Sequence, residues 1–185
     1  MVLLHTPEAE IGTPCPDFRL PDLEGRLFSR DELKGPHGLL VAFICAHCPY
    51  VQAIEDRLAG DLRELRAAGI GVVAICSNDP EQYPEDAPEG LRRQAARAGF
   101  DFPYLIDETQ EVARAFGAVC TPDFFGYDRE LRLAYRGRLD EAHRGPRKPG
   151  MRRELVEAML EIAQSGRTTL AQVPSMGCSI KWKRA

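Results

Sequence analysis

Two near-continuous apolar runs, residues 38–45 (Gly-Leu-Leu-Val-Ala-Phe-Ile-Cys) and residues 70–76, bracket a stretch whose apolar residues recur every three or four positions. Each run reads as a strand covered on both faces. Between them Val51, Ile54, Leu58, Leu62 and Leu65 form one stripe, and Glu55, Asp56, Arg57, Arg63 and Glu64 lie off it. That pattern predicts an amphipathic helix from about Pro49 to Ala68, ended by Gly69. Strand, helix and strand at this spacing form a βαβ unit with parallel strands and a right-handed crossover. The chain is therefore expected to be an α/β protein.

The remaining segments extend this unit. Residues 1–37 are rich in Pro and Gly around short apolar pieces, which suggests an irregular N-terminal layer with a small hairpin. Asp86 and Glu89 have the spacing of a capping box and Pro88 suits a first turn, so a helix is expected over 87–98. A strand over 102–106, a helix over 109–116, an antiparallel hairpin from 123–127 and 131–136, and a helix over 151–164 follow. At roughly 150 residues per domain, 185 residues predict one domain, 1–165, with a tail over 166–185 packed on it. A hydrophobic share of 44% and a charged share of 28% exclude a disordered or fibrous chain.

Composition also narrows the partners. The net charge of −4 argues against nucleic acid, which needs a cationic face. No apolar run approaches the ~20 residues of a membrane helix, so no membrane partner is expected. The stretch Met1 to Pro7 lacks the charged and apolar regions of a secretory leader, so a cytoplasmic location is expected. Six cysteines in a reducing compartment do not form a structural framework. They are inert, metal-bound or reactive, and spacing decides which.

Cys45-Ala46-His47-Cys48 stands where the first central strand hands over to its helix. In α/β sheets, sites form at the carboxyl ends of parallel strands. The free N–H groups of a helix start stabilise a thiolate and lower its pKa from ~8.5. Residues three apart in a first helical turn lie roughly 5–6 Å apart, within disulfide range. The expected roles follow from exposure: Cys45 is the accessible nucleophile, and Cys48, one turn into the helix, the buried resolving thiol. His47 either stabilises the Cys45 thiolate or is a solvated loop residue. No organic cofactor is needed.

The stretch from Phe43 to Val51 resembles that of thioredoxin-like proteins of the redoxin branch. It is most similar to a peroxiredoxin-like group that carries CxxC and is related to the alkyl hydroperoxide reductase/thiol-specific antioxidant family. Residues 107–113 (Asp-Glu-Thr-Gln-Glu-Val-Ala) and 177–183 (Gly-Cys-Ser-Ile-Lys-Trp-Lys) support the resemblance, which covers roughly residues 14–183. It implies a thioredoxin-like fold, a central mixed β-sheet flanked by helices, with an N-terminal extension and a C-terminal tail. It also implies that Thr121-Pro122 is the Thr–cis-Pro pair opposite the cysteines, presenting Thr121 backbone groups to an extended substrate by strand addition. The expected activity is thiol–disulfide exchange with protein or small-molecule disulfides and a cellular thiol reductant.

Two departures bear on the chemistry. Thioredoxins carry a buried acid before CxxC, but Leu39 occupies the matching position and no acid lies between Gly38 and Cys48. Peroxiredoxins place the peroxidatic cysteine in Thr-x-x-Cys-Pro; Cys48-Pro49 matches, but Cys45 replaces the threonine and Pro122 the distal arginine. Each lost donor of that kind costs ~3 kcal/mol of transition-state stabilisation. Disulfide exchange is thus favoured over an antioxidant thiol peroxidase, the alternative. A soft-metal binding or delivery protein is a third class, although no second Cys/His pair completes a zinc set. Cys120, beside Thr121, is a third redox thiol or a small buried hydrophobe. Cys178 either follows a tail anchored by Trp182 or serves as an additional resolving thiol. Cys76 reads as core, and Cys15 has no assigned role.

Overall fold

A computed structural model describes residues 3–8 and 10–184, so Met1 and Val2 of the N-terminal stretch lie outside the described residues. The central sheet has five strands in the order β6-β5-β4-β8-β9: β4 (Leu39–Phe43), β5 (Gly71–Cys76), β6 (Tyr104–Ile106), β8 (Asp123–Tyr127) and β9 (Leu133–Gly137). β4 pairs in parallel with β5 and antiparallel with β8, so the strand that leads into the cysteines is held on both edges.

Alternation along β4 divides the core. Leu40 and Ala42 face one cluster with Leu58, Leu62 and Leu65 of α3 (Glu55–Ala67) and Leu155 and Met159 of α6 (Glu154–Ser165). Leu39, Val41 and Phe43 face the other, with Leu33 of α1 (Arg30–Leu33) and Ala113 and Phe116 of α5 (Glu111–Phe116). Period-2 side chains on a two-sided strand require this arrangement. α4 (Pro88–Ala98) follows β5, and β2 (Arg19–Pro21) and β3 (Leu27–Ser29) form the N-terminal hairpin.

A second, three-stranded sheet has the order β1-β10-β7: β1 (Leu3–His5), β10 (Met176–Ser179) and β7 (Cys120–Thr121). β10 runs antiparallel to β7, with Cys178 opposite Thr121 and Ser179 opposite Cys120. Arg114 covers the Trp182 ring at 4.2 Å.

Several boundaries differ from expectation. The helix expected from Pro49 to Ala68 is two pieces, α2 (Pro49–Gln52) and α3, because the Ile54 N–H closes a tight turn on the Val51 carbonyl. Asp86 does not cap the next helix: Ala87 is its N-cap residue, with no side-chain bond, and the Asp86 carboxylate turns inward. Gln110 adopts a left-handed φ of 65°, which delays α5 to Glu111.

Candidate active site

β4 ends at Phe43, and the chain then loops through Cys45, Ala46 and His47 before Cys48 serves as the N-cap of α2, with Pro49 at its first position. The two cysteines therefore do not share a first helical turn; Cys48 alone stands at the helix start. Asp86 organises the loop. Its Oδ1 accepts the Ala46 N–H at 2.8 Å and the His47 N–H at 3.0 Å. Its Oδ2 lies 2.5 Å from His47 Nδ1 and accepts from Asn78 at 2.8 Å. Burial acts to raise the Asp86 pKa, but these donors overcome it and hold the carboxyl below its usual range. Tyr83 stacks on the His47 ring at 4.3 Å. Buried Gln94 donates to the Cys45 carbonyl at 2.9 Å, and Gln52 donates to the Ala46 carbonyl at 2.7 Å.

All six cysteines are free of disulfides. Cys45 and Cys48 are both 0% exposed, so the expected exposed nucleophile at Cys45 is not found. Burial pushes the Cys45 thiol well up, and its bond to Cys48 and the charge of Asp86 push the same way. Cys48 moves oppositely, down to about 4: the Cys45 thiol donates to it, and against the cost of burial the Cys178 thiol and N–H and Thr121 add further donors. The Thr121 carbonyl, 3.2 Å from Cys48 Sγ, accepts the thiol proton in the neutral form. Position at the helix start and the surrounding donors favour a thiolate at Cys48, and burial favours a thiol at Cys45.

The other expected residues sort by contact. The Thr121–Pro122 bond is cis. Thr121 Oγ1 lies 3.3 Å from Cys45 Sγ, so a threonine hydroxyl does reach the sulfurs, from the opposite strand rather than from within the cysteine loop. The Thr121 backbone does not face an open groove; β10 is paired against it. His47 Nδ1 is 3.7 Å from Cys45 Sγ, while its Nε2 is buried with no hydrogen-bond partner among the described residues. Cys178, 1% exposed, is in the cluster, and burial pushes its thiol up to about 12. Cys120 is not: its sulfur has the Pro122 carbonyl as partner at 3.8 Å, and burial pushes it up. Cys76 and Cys15 are likewise raised by burial, Cys15 to about 12.

Asp86 was missed in the sequence because its spacing to Glu89 imitates a cap. It joins Cys45 and His47 in the one group of three possible metal ligands among the described residues, all within 4.8 Å. Both of its oxygens already accept two hydrogen bonds each, which a metal would have to displace. The two supporting stretches also meet here. Gln110 donates to the Ser77 and Lys181 carbonyls and accepts from the Lys183 N–H, so residues 107–113 hold residues 177–183 against the site.

The chain matches the AhpC/TSA family over residues 11–136. Peroxiredoxin Bcp of Escherichia coli (strain K12) is 29% identical over 126 residues, 67% of this chain and 76% of that protein. Thiol-disulfide oxidoreductase ResA of Geobacillus thermodenitrificans is 28% identical over 120 residues, 64% of each. The crystal structure of an uncharacterized conserved protein from Geobacillus kaustophilus superposes with a TM-score of 0.92 at 40% identity, covering 100% of this chain and 98% of that one. Solved disulfide oxidoreductases at lower identity share the thioredoxin-like fold.

Proposed function

We propose that this chain, which belongs to the AhpC/TSA family, is a thiol–disulfide oxidoreductase in which Cys48 attacks and Cys45 resolves. The observation that carries this reading is the placement of two free cysteines against one residue: Cys45 Sγ lies 3.3 Å from Thr121 Oγ1, and Cys48, at the helix start, 3.2 Å from the Thr121 carbonyl. Cys48 attacks one sulfur of a protein or small-molecule disulfide and expels the other as a thiolate. Cys45 then loses its proton and displaces the second half, closing Cys45–Cys48. The expelled thiolate is the acceptor for that proton, because His47 Nδ1 already donates to Asp86 Oδ2 and Leu39 stands where thioredoxins carry a buried acid. A cellular thiol reductant reopens the disulfide. ResA, an oxidoreductase by name, supports the assignment. With it goes a cytoplasmic setting; no helix among the described residues is long and apolar enough to cross a membrane.

A thiol peroxidase is the second reading, favoured by Cys48 directly before Pro49, by its low pKa and by the relative named peroxiredoxin. Against it stands the residue at the position of the distal arginine, which is Pro122 here, so that donor to a peroxide oxygen is not supplied from that position.

A single-turnover comparison of the reduced chain with oxidised glutathione and with hydrogen peroxide tests the choice. Disulfide exchange is expected to be the faster and to vanish in Cys48→Ser. A peroxide rate far above that of free cysteine would install the second reading.

A further inference from the structure

The tail residues 177–183 lie outside the stretch that matches the family, and yet they form part of the site. β10 occupies the edge of β7 beside the Thr121–Pro122 bond, where an extended substrate would add as a strand. Its approach is very close: a Cβ on Gly177 would overlap the Thr121 carbonyl oxygen, so only glycine fits. The strand is fixed on both sides. The Ser175 hydroxyl donates to the Pro122 carbonyl at 2.7 Å, and the Ile180 N–H donates to the Val119 carbonyl at 3.0 Å. These bonds, with the Gln110 clamp and Trp182, anchor the tail without any help from sulfur. Cys178 nevertheless directs both its thiol and its N–H at Cys48, and the Tyr50 N–H of α2 reaches its own sulfur. A third cysteine thus stands on a strand placed like a substrate, opposite Thr121, whose carbonyl lies 3.2 Å from Cys48 Sγ.

We propose that Cys178 is a second resolving thiol, which captures Cys48 after its attack and stores the oxidising equivalent as a Cys48–Cys178 disulfide inside the chain. The proposal rests on the reading of Cys48 as nucleophile. The Cys48 thiolate attacks a disulfide, forming a mixed disulfide and expelling one thiolate. That thiolate takes the Cys178 proton. The Cys178 thiolate then attacks Cys48 Sγ and releases the second half, which takes a proton from solvent. One external disulfide is reduced to two thiols, and Cys48 and Cys178 are each oxidised by one electron.

The test treats the reduced full-length chain with oxidised glutathione and follows it by intact mass and tryptic mapping. Cys45 and Cys48 fall in one tryptic peptide and Cys178 in another, so the two disulfides are distinguishable. The wild-type map is expected to contain the cross-linked Cys48–Cys178 pair. Cys45→Ser is expected to lose its bound glutathione and finish as Cys48–Cys178, whereas the double variant Cys45→Ser, Cys178→Ser retains one glutathione per chain. The proposal is overturned if Cys45→Ser holds glutathione as the double variant does and the wild-type map contains only Cys45–Cys48. A wild-type chain that consumes no glutathione disulfide overturns the nucleophile reading, and this proposal with it.

Discussion

Gly177 lies against the carbonyl of Thr121 with no room for a methyl group between them, which brings the neighbouring Cys178 into register opposite Thr121 and onto Cys48. Gly177→Ala must lift the tail strand. The expected cost is about 1–3 kcal/mol, as for other overpacked sites, at roughly 2–4 °C of Tm per kcal/mol. Hydrogen exchange should quicken in the strand from Met176 to Ser179. Unchanged exchange and Tm would mean that the close approach is not made in solution.

The Cys48 thiolate should be visible by its absorbance near 240 nm, with a midpoint about 4. Its folded pKa lies below the ~8.5 of an unfolded thiol, so its contribution to stability is full above that value and is lost as pH falls toward 4. Cys45→Ala and Cys178→Ala should each raise the midpoint, the former more, because Cys45 is the leading donor. A wild-type midpoint near 8.5 contradicts the assignment of the thiolate.

Asp86→Ala leaves the buried N–H groups of Ala46 and His47 without their acceptor. At about 1–3 kcal/mol for each such group, chemical denaturation should register a loss of several kcal/mol. Asp86→Asn, which keeps one carbonyl oxygen, should lose less. Because the Asp86 pKa is lowered, its contribution is present above the ordinary carboxylate range and disappears on acidification. The Asn variant should therefore show a shallower acid limb, and an identical limb would refute this.

Gln110→Ala removes two donors and one acceptor that hold Ser77, Lys181 and Lys183. Trypsin should then cut sooner at Lys181 and Lys183 while the central sheet stays protected. Equal cutting rates would show that the tail is held elsewhere.

The βαβ unit was legible because apolar runs and a helical stripe differ in period, and β4, α3 and β5 bury those very residues. The cysteine loop was located by its place after β4, but the order of reactivity was not. That order depends on the groups around each sulfur, and Thr121, Cys178 and Asp86 reach them from far along the chain. Asp86 was misread because the local spacing is the same whether the carboxylate caps α4 or turns inward; four donors from distant segments decide it. β10, Met-Gly-Cys-Ser, carries no strand signature, since its pairing is with residues far away in the chain. The stretches 107–113 and 177–183 stood out separately, and only the folded chain shows Gln110 joining them.

The small sheet has a temporal consequence. β10 is completed by β1 on one side and β7 on the other, so the cover over Cys48 needs both the earliest and the latest parts of the described chain. On the ribosome the α/β core can assemble while Met176 to Ser179 are still unmade, and for that interval the sulfur pair stands uncovered. A nascent molecule therefore makes its sulfur pair before it makes the strand that covers it.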